Sequence, residues 1–200
     1  GKGQVANYSG TSSRYSQRIV VSESVSRGWQ LYTADISKAF LQGVTYEELA
    51  RMTGEPVRDV NFVLPWDSVP HLRKVPGFES YDQRVEVLHC DKPGTGLVDA
   101  PRAFNMKLHE VIEKDCKLFP TSVDNELFLR HHEGKLVCIV AVHVDDLKIA
   151  GEDWARALVF QALEKVFGAL TLSTLNFTNC GIRHMQSQET MDCTLDQIEY

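Results

Sequence analysis

Residues 136–151 read LVCIVAVHVDDLKIAG. The apolar run 136–142 is far shorter than the roughly 18 residues that span a bilayer. Its length and β-branched content suit a strand buried on both faces. HVDD at 143–146 breaks the apolarity, LKIA at 147–150 restores it, and Gly151 ends it. The stretch therefore reads as a hairpin with two buried arms and a tight acidic turn. Burying carboxylates there costs several kcal/mol per ion unless something compensates. Taken alone, Asp145 and Asp146 are ordinary turn residues, whose side chains bond their own backbone.

Working outward, 126–130 reads as a strand, HEGK at 132–135 as a turn, and 152–167 as a helix with apolar residues at helical spacing, stopped by Gly168. Upstream, Pro101 opens a helix over 101–114, and DKPGTG at 91–96 is turn chemistry. An alternating strand is expected at 84–89, a proline-bearing loop at 65–81 and a short strand at 61–64. Thr45 caps a helix over 45–51. A turn occupies 38–43, WQLYTADI at 29–36 is a strand, and 12–28 is a helix ending at Gly28. Beyond the last helix, strands are expected at 170–172 and 177–183, and a helix start at 196–200. Hairpins mixed with helices in this order make the fold class α+β.

Composition is that of a soluble globular chain: 43% hydrophobic and 24% charged residues, with 27 acidic against 21 basic. The net charge of −6 runs against phosphate binding by Lys and Arg, although a metal site needs carboxylates of its own. Five cysteines without CxxC spacing and no apolar leader core in 1–16 give the expectation of an intracellular, non-secreted protein with no membrane association.

Asp35 ends the strand 29–36. Alone it is a strand-end or capping residue. Two strands of one sheet, each with aspartate near its end, can gather three carboxylates around one point. Such hard oxygens suit magnesium, which keeps positions open for substrate phosphates. Successive strand residues face opposite sides, so Asp145 and Asp146 are equivalent ligands only if the turn swings one round.

These residues resemble the reverse transcriptases of Ty1/copia-type retrotransposons. SRGW (26–29) with DISKAFLQG (35–43) resembles the first catalytic motif of that family. GLVDAPRAFNMKL (96–108) resembles its Gly-Leu-Lys-Gln-Ala-Pro-Arg-Ala-Trp segment, and VDNELFLR (123–130) its Asp-x-x-Leu-Phe strand. VAVHVDDLKIAG (140–151) resembles the Tyr-Val-Asp-Asp hairpin, and NCGIRHMQSQ (179–188) the strand leading to the thumb.

The resemblance implies an RNA-directed DNA polymerase with a ferredoxin-like palm (29–48 and 100–185), partial fingers (1–28 and 49–99) and the start of a truncated thumb (186–200). It implies two Mg2+ ions, replaceable by Mn2+, held mainly by Asp35 and Asp145 with Asp146 in support. The incoming dNTP would meet Ile36, Ser37, Lys38, Ala39, Phe40 and Gly96, with Phe40 excluding a ribose 2′-hydroxyl; without the resemblance Phe40 reads as core. Arg102 would reach a phosphate, or is a plain surface arginine. His143 stands where the family has an aromatic, and either stacks near the primer end or is a simple substitution. Partners would be an RNA/DNA template-primer, dNTP and the rest of a Pol polyprotein. The compartment would be the cytoplasm, within a virus-like particle, or the nucleus. Val98 and Asp99 replace the usual lysine and glutamine, and no basic strand is evident in 1–18. These departures favour the alternative of a degenerate, non-catalytic retroelement fragment that folds and binds nucleic acid. A nucleotide cyclase is a third reading, disfavoured because it has no use for the 96–108 segment.

Overall fold

The structure is a computed structural model that describes residues 9–197. Helix α1 (Arg14–Arg27) begins where the Ser13 hydroxyl accepts from the Ser16 N–H and ends at Gly28, whose φ of 65° suits glycine. Strand β1 (Leu31–Asp35) leads into a 3-10 turn (Ala39–Leu41) and α2 (Tyr46–Thr53), opened by a reciprocal Thr45–Glu48 capping box. Regular structure is then sparse: β2 (Asn61–Phe62), α3 (Val69–Leu72) and β3 (Leu88–His89). Helix α4 (Ala100–Lys114) carries Pro101 in its first turn, where no N–H is missed.

A meander follows of β4 (Phe119–Pro120), β5 (Leu127–His132), β6 (Lys135–His143) and β7 (Asp146–Gly151). After α5 (Asp153–Phe167) come β8 (Thr171–Thr174), β9 (Asn176–Asn179), β10 (Ile182–Gln186) and β11 (Cys193–Asp196). No helix among the described residues is long and apolar enough to cross a membrane.

Some elements differ from expectation for local reasons. The run 84–89 pairs only at Leu88–His89, because its sole partner is the two-residue β2 and no sheet face is there to bury Val85 and Val87. The strand expected at 177–183 is two strands, since Cys180 (φ 52°) and Gly181 (φ 72°) form a turn between β9 and β10. Asp196 closes a strand instead of opening a helix, held extended by the Arg183 guanidinium at 2.6 Å across the β10–β11 ladder. Residues 198–200 of that expected helix, and 1–8 of the expected fingers, lie outside the described residues.

The main sheet has the order β4-β5-β6-β7-β1-β8 and is antiparallel throughout. One face carries Ala34, Phe128, Val140, Val142, Leu147 and Ile149 against α4 and α5, through Phe104, Leu108, Val159 and Leu163. The other face carries Leu31, Leu127, Ile139, Ala141 and Ala150 against Val20 and Val21 of α1 and Phe177 of β9. Covering on both faces is why β6 is apolar at every interior position.

Strands β9 to β11 form a small sheet fastened beside β1 by Gln186. Its Oε1 accepts from the Leu31 N–H (2.8 Å), and its Nε2 reaches Ser24 Oγ and the carbonyls of Trp29 and Met191. Gly43 brings the loop after β1 against α4: a Cβ there would lie 2.9 Å from the Ala103 backbone.

Candidate active site

The register of β1, β6, β7 and β8 builds the site. Asp35 lies directly opposite Asp146, Asp146 opposite His143, and Asp35 opposite Thr171. Directly opposed residues share a sheet face, so His143, Asp146, Asp35 and Thr171 form one row across four strands. The backbone bond from the Ile36 N–H to the Asp145 carbonyl (3.3 Å) makes the next pair the hydrogen-bonded one. Asp35 and Asp146 are therefore a narrow, non-hydrogen-bonded pair, the geometry in which Cβ atoms come within about 4.5–5.5 Å.

Two carboxylates so placed repel each other, and like charges directly opposite destabilise a sheet. Burial pushes the Asp146 carboxyl above its ordinary range, and the charges of Asp145 and Asp35 push it further, partly offset by His143 and Lys148. Val144 and Asp145 form the two-residue turn between β6 and β7. Val144 is left-handed (φ 59°), which strains a β-branched residue by about 1–2 kcal/mol. The acidic turn is thus held in a conformation its own sequence disfavours.

Two opposed carboxylates are the kind of hard-oxygen donors that magnesium takes alongside water and phosphate oxygens. Among the described residues no group of three or more His, Cys, Asp or Glu side chains is placed to hold a metal ion, so Asp35, Asp145 and Asp146 do not form a three-carboxylate site. An open two-carboxylate platform is compatible with magnesium, which is seldom bound by all-protein cages.

The other expected residues divide. Ile36 and Ala39 are buried in the core, Ser37 and Lys38 are exposed in the turn after Asp35, and Lys38 is left-handed (φ 55°). Phe40 is partly buried against the core between sheet and helices. Gly96 has φ 92°, a conformation that favours glycine. Arg102 makes a bidentate ion pair with Glu55. Asp99, at the N-terminus of α4, is 1% exposed and ion-paired with Arg58, whose guanidinium also covers the Tyr46 ring at 5.7 Å. Asp99 thus ties the loop after α2 to α4. His143 is bridged on its other side by Thr11. A cavity of about 590 Å3 between α2 and α4, lined by Val44, Glu48, Met52, Met106 and His109, does not include the acidic row.

Two curated relatives match the chain. The retrovirus-related Pol polyproteins of transposons RE1 and RE2 of Arabidopsis thaliana are 27% and 26% identical to it over 136 residues, 68% of this chain. The chain is similar to part of a retrotransposon Pol polyprotein. It spans 8% of the length of each relative. No family model matches it, and no solved structure matches it.

One residue of the site face was not anticipated. Lys148 stands two positions after Asp146 on the same face of β7, between Ala141 and Thr33, and is 1% exposed. Burial lowers its ammonium to about 8, against the raising influence of Cys180, Cys193 and Asp146. The visible signal was a lysine inside the apolar arm LKIA, at the parity of Asp146.

Proposed function

We propose that the chain is the catalytic core of an RNA-directed DNA polymerase, extending a primer 3′-hydroxyl with dNTP on a nucleic-acid template. The observation that carries this reading is the directly opposed Asp35–Asp146 pair beside the strained Val144–Asp145 turn. Strain at a turn bearing charged residues is typical of functional sites. Similarity to retrovirus-related Pol polyproteins supports the same reading. Asp35, Asp145 and Asp146 would hold two divalent cations. Such ions stabilise the attacking and leaving oxygens of an in-line displacement. The exposed Ser37–Lys38 turn would offer backbone N–H groups and an ammonium to the triphosphate. Phe40, fixed against the core, would present its ring edge to the sugar.

Primer extension on poly(rA)/oligo(dT) with Mg2+ or Mn2+ tests the reading. Incorporation is expected from the chain and is expected to vanish in Asp35→Asn and Asp145→Asn. Equal incorporation by wild type and both variants would remove Asp35 and Asp145 from the chemistry. The second reading, a non-catalytic retroelement fragment that binds nucleic acid, is favoured by the engagement of Arg102 with Glu55. It predicts template-primer binding without incorporation under either metal.

A further inference from the structure

Lys148 sits where a cation is costly. It is 1% exposed, beneath the small sheet, with Ala141 on one side and Thr33 on the other. The covering groups are neutral or weakly acidic. Asn179 donates from Nδ2 to Thr33 Oγ1 at 3.1 Å, and its Oδ1 has no partner among the described residues. His184 is stacked on Phe177 (4.8 Å between ring centres), bonds the Ile182 carbonyl through Nδ1, and leaves Nε2 without a partner among the described residues. Cys180 and Cys193 are the remaining groups that interact with the ammonium from the small sheet.

A buried cation persists where an opposite charge compensates it. Along the same strand face, the next side chain is Asp146, two residues away and directly opposite Asp35. That narrow carboxylate pair is itself short of positive charge. The two defects are complementary and separated by about 7 Å, two steps of a strand.

We infer that Lys148 is a built-in counter-charge for the Asp35–Asp146 pair, a positioning residue that lets the opposed carboxylates coexist and moderates their hold on a divalent cation. The effect on the cation rests on the proposed metal-dependent function; the pairing with Asp146 does not. A fixed positive charge beside the site makes the empty pair less repulsive and the loaded pair less attractive.

Two measurements on the full 200-residue chain test this. First, Mn2+ binding is followed by electron paramagnetic resonance in wild type, Lys148→Met and Lys148→Arg. Methionine matches the stem in volume and removes only the charge, at the folding cost that loss of one partner of a buried pair carries. Lys148→Met is expected to bind Mn2+ on the order of tenfold more tightly, as loss of a unit charge beside a divalent ion at intermediate dielectric implies. Lys148→Arg is expected to keep the wild-type affinity.

Second, metal-free melting temperatures are compared for wild type, Lys148→Met, Asp146→Asn and the double variant. Asp146→Asn relieves repulsion by Asp35 but also strips Lys148 of its partner, so it is expected to raise Tm more in the Lys148→Met background than in wild type. Unchanged Mn2+ affinity together with additive melting shifts overturns the inference and leaves the metal reading standing. Non-additive shifts in a chain that binds no Mn2+ keep Lys148 as the counter-charge and remove the metal reading. If Lys148→Met does not fold, Asp146→Asn is compared in wild type and in Lys148→Gln: a larger gain in Lys148→Gln supports the counter-charge, and an equal gain overturns it.

Discussion

Burial and two neighbouring aspartates, Asp145 and Asp35, hold the Asp146 carboxyl above its ordinary range. A raised carboxylate pKa means the folded chain binds the proton more tightly than the unfolded one. Stability from this group is then present at low pH and lost as pH rises through the folded value. Asp146→Asn is therefore expected to raise Tm near neutral pH, with the gain disappearing below the ordinary carboxylate range, as thermal melts across pH would read. Val144→Gly should relieve about 1 kcal/mol of left-handed strain, offset in part by glycine's extra entropy, and should loosen the turn that aims Asp145. Phe40→Ala is expected to raise ribonucleotide incorporation by about 10–100-fold relative to deoxynucleotide, the range that one lost steric contact supports. At this scale Asp145 and Asp146 stand out in the sequence because charge inside an apolar hairpin is conspicuous, whereas Asp35 reads only as the end of a strand. Which of the three oppose each other was not legible, because a register depends on a partner strand more than 100 residues away. Lys148 escaped notice because a single lysine in a short apolar arm is hidden by the residues flanking it.

The elements most clearly written in the sequence are those with a local stop signal or a strong period. Gly28 ends α1, Thr45 and Glu48 open α2, Pro101 starts α4, and Gly168 ends α5. The two-residue strands β2, β3 and β4 carry no such signal, and the turn splitting β9 from β10 was hidden by alternation that continues through it. One ion pair fastens the loop after α2 to α4. Asp99→Ala removes the partner of Arg58, and because that arginine is partly solvated the expected cost is about 1–3 kcal/mol, read as a lower denaturant midpoint. Arg58→Met is expected to cost more, since it leaves the buried Asp99 carboxylate without its counter-charge. In the small sheet, burial lowers His184 to about 4 from an ordinary 6.5. A depressed histidine contributes stability that is complete above the unfolded value and is lost as pH falls towards the folded one. Between those values Tm is expected to fall, and His184→Phe, keeping the stack on Phe177, should remove that part of the slope.

For the whole molecule, the question is how a small sheet is held at one edge of a larger one. Gln186 alone meets α1, the loop before β1, the first N–H of β1 and the turn before β11. Gln186→Ala is expected to raise hydrogen exchange throughout 176–196 while leaving β5 to β7 protected. Equal loss of protection in both sheets would mean that the small sheet is not fastened independently. The α+β class was legible from the order of elements, and the sheet order was not, since it depends on where β1 inserts. That insertion has a kinetic corollary. Strands β4 to β7 are consecutive hairpins and can zip together as they leave the ribosome, whereas β1 emerges first and must wait for both β7 and β8. Loop closure over so long a span is slow compared with hairpin formation. Asp35 therefore reaches Asp146 only at the final closure of the sheet, and a newly made chain acquires its acidic row last.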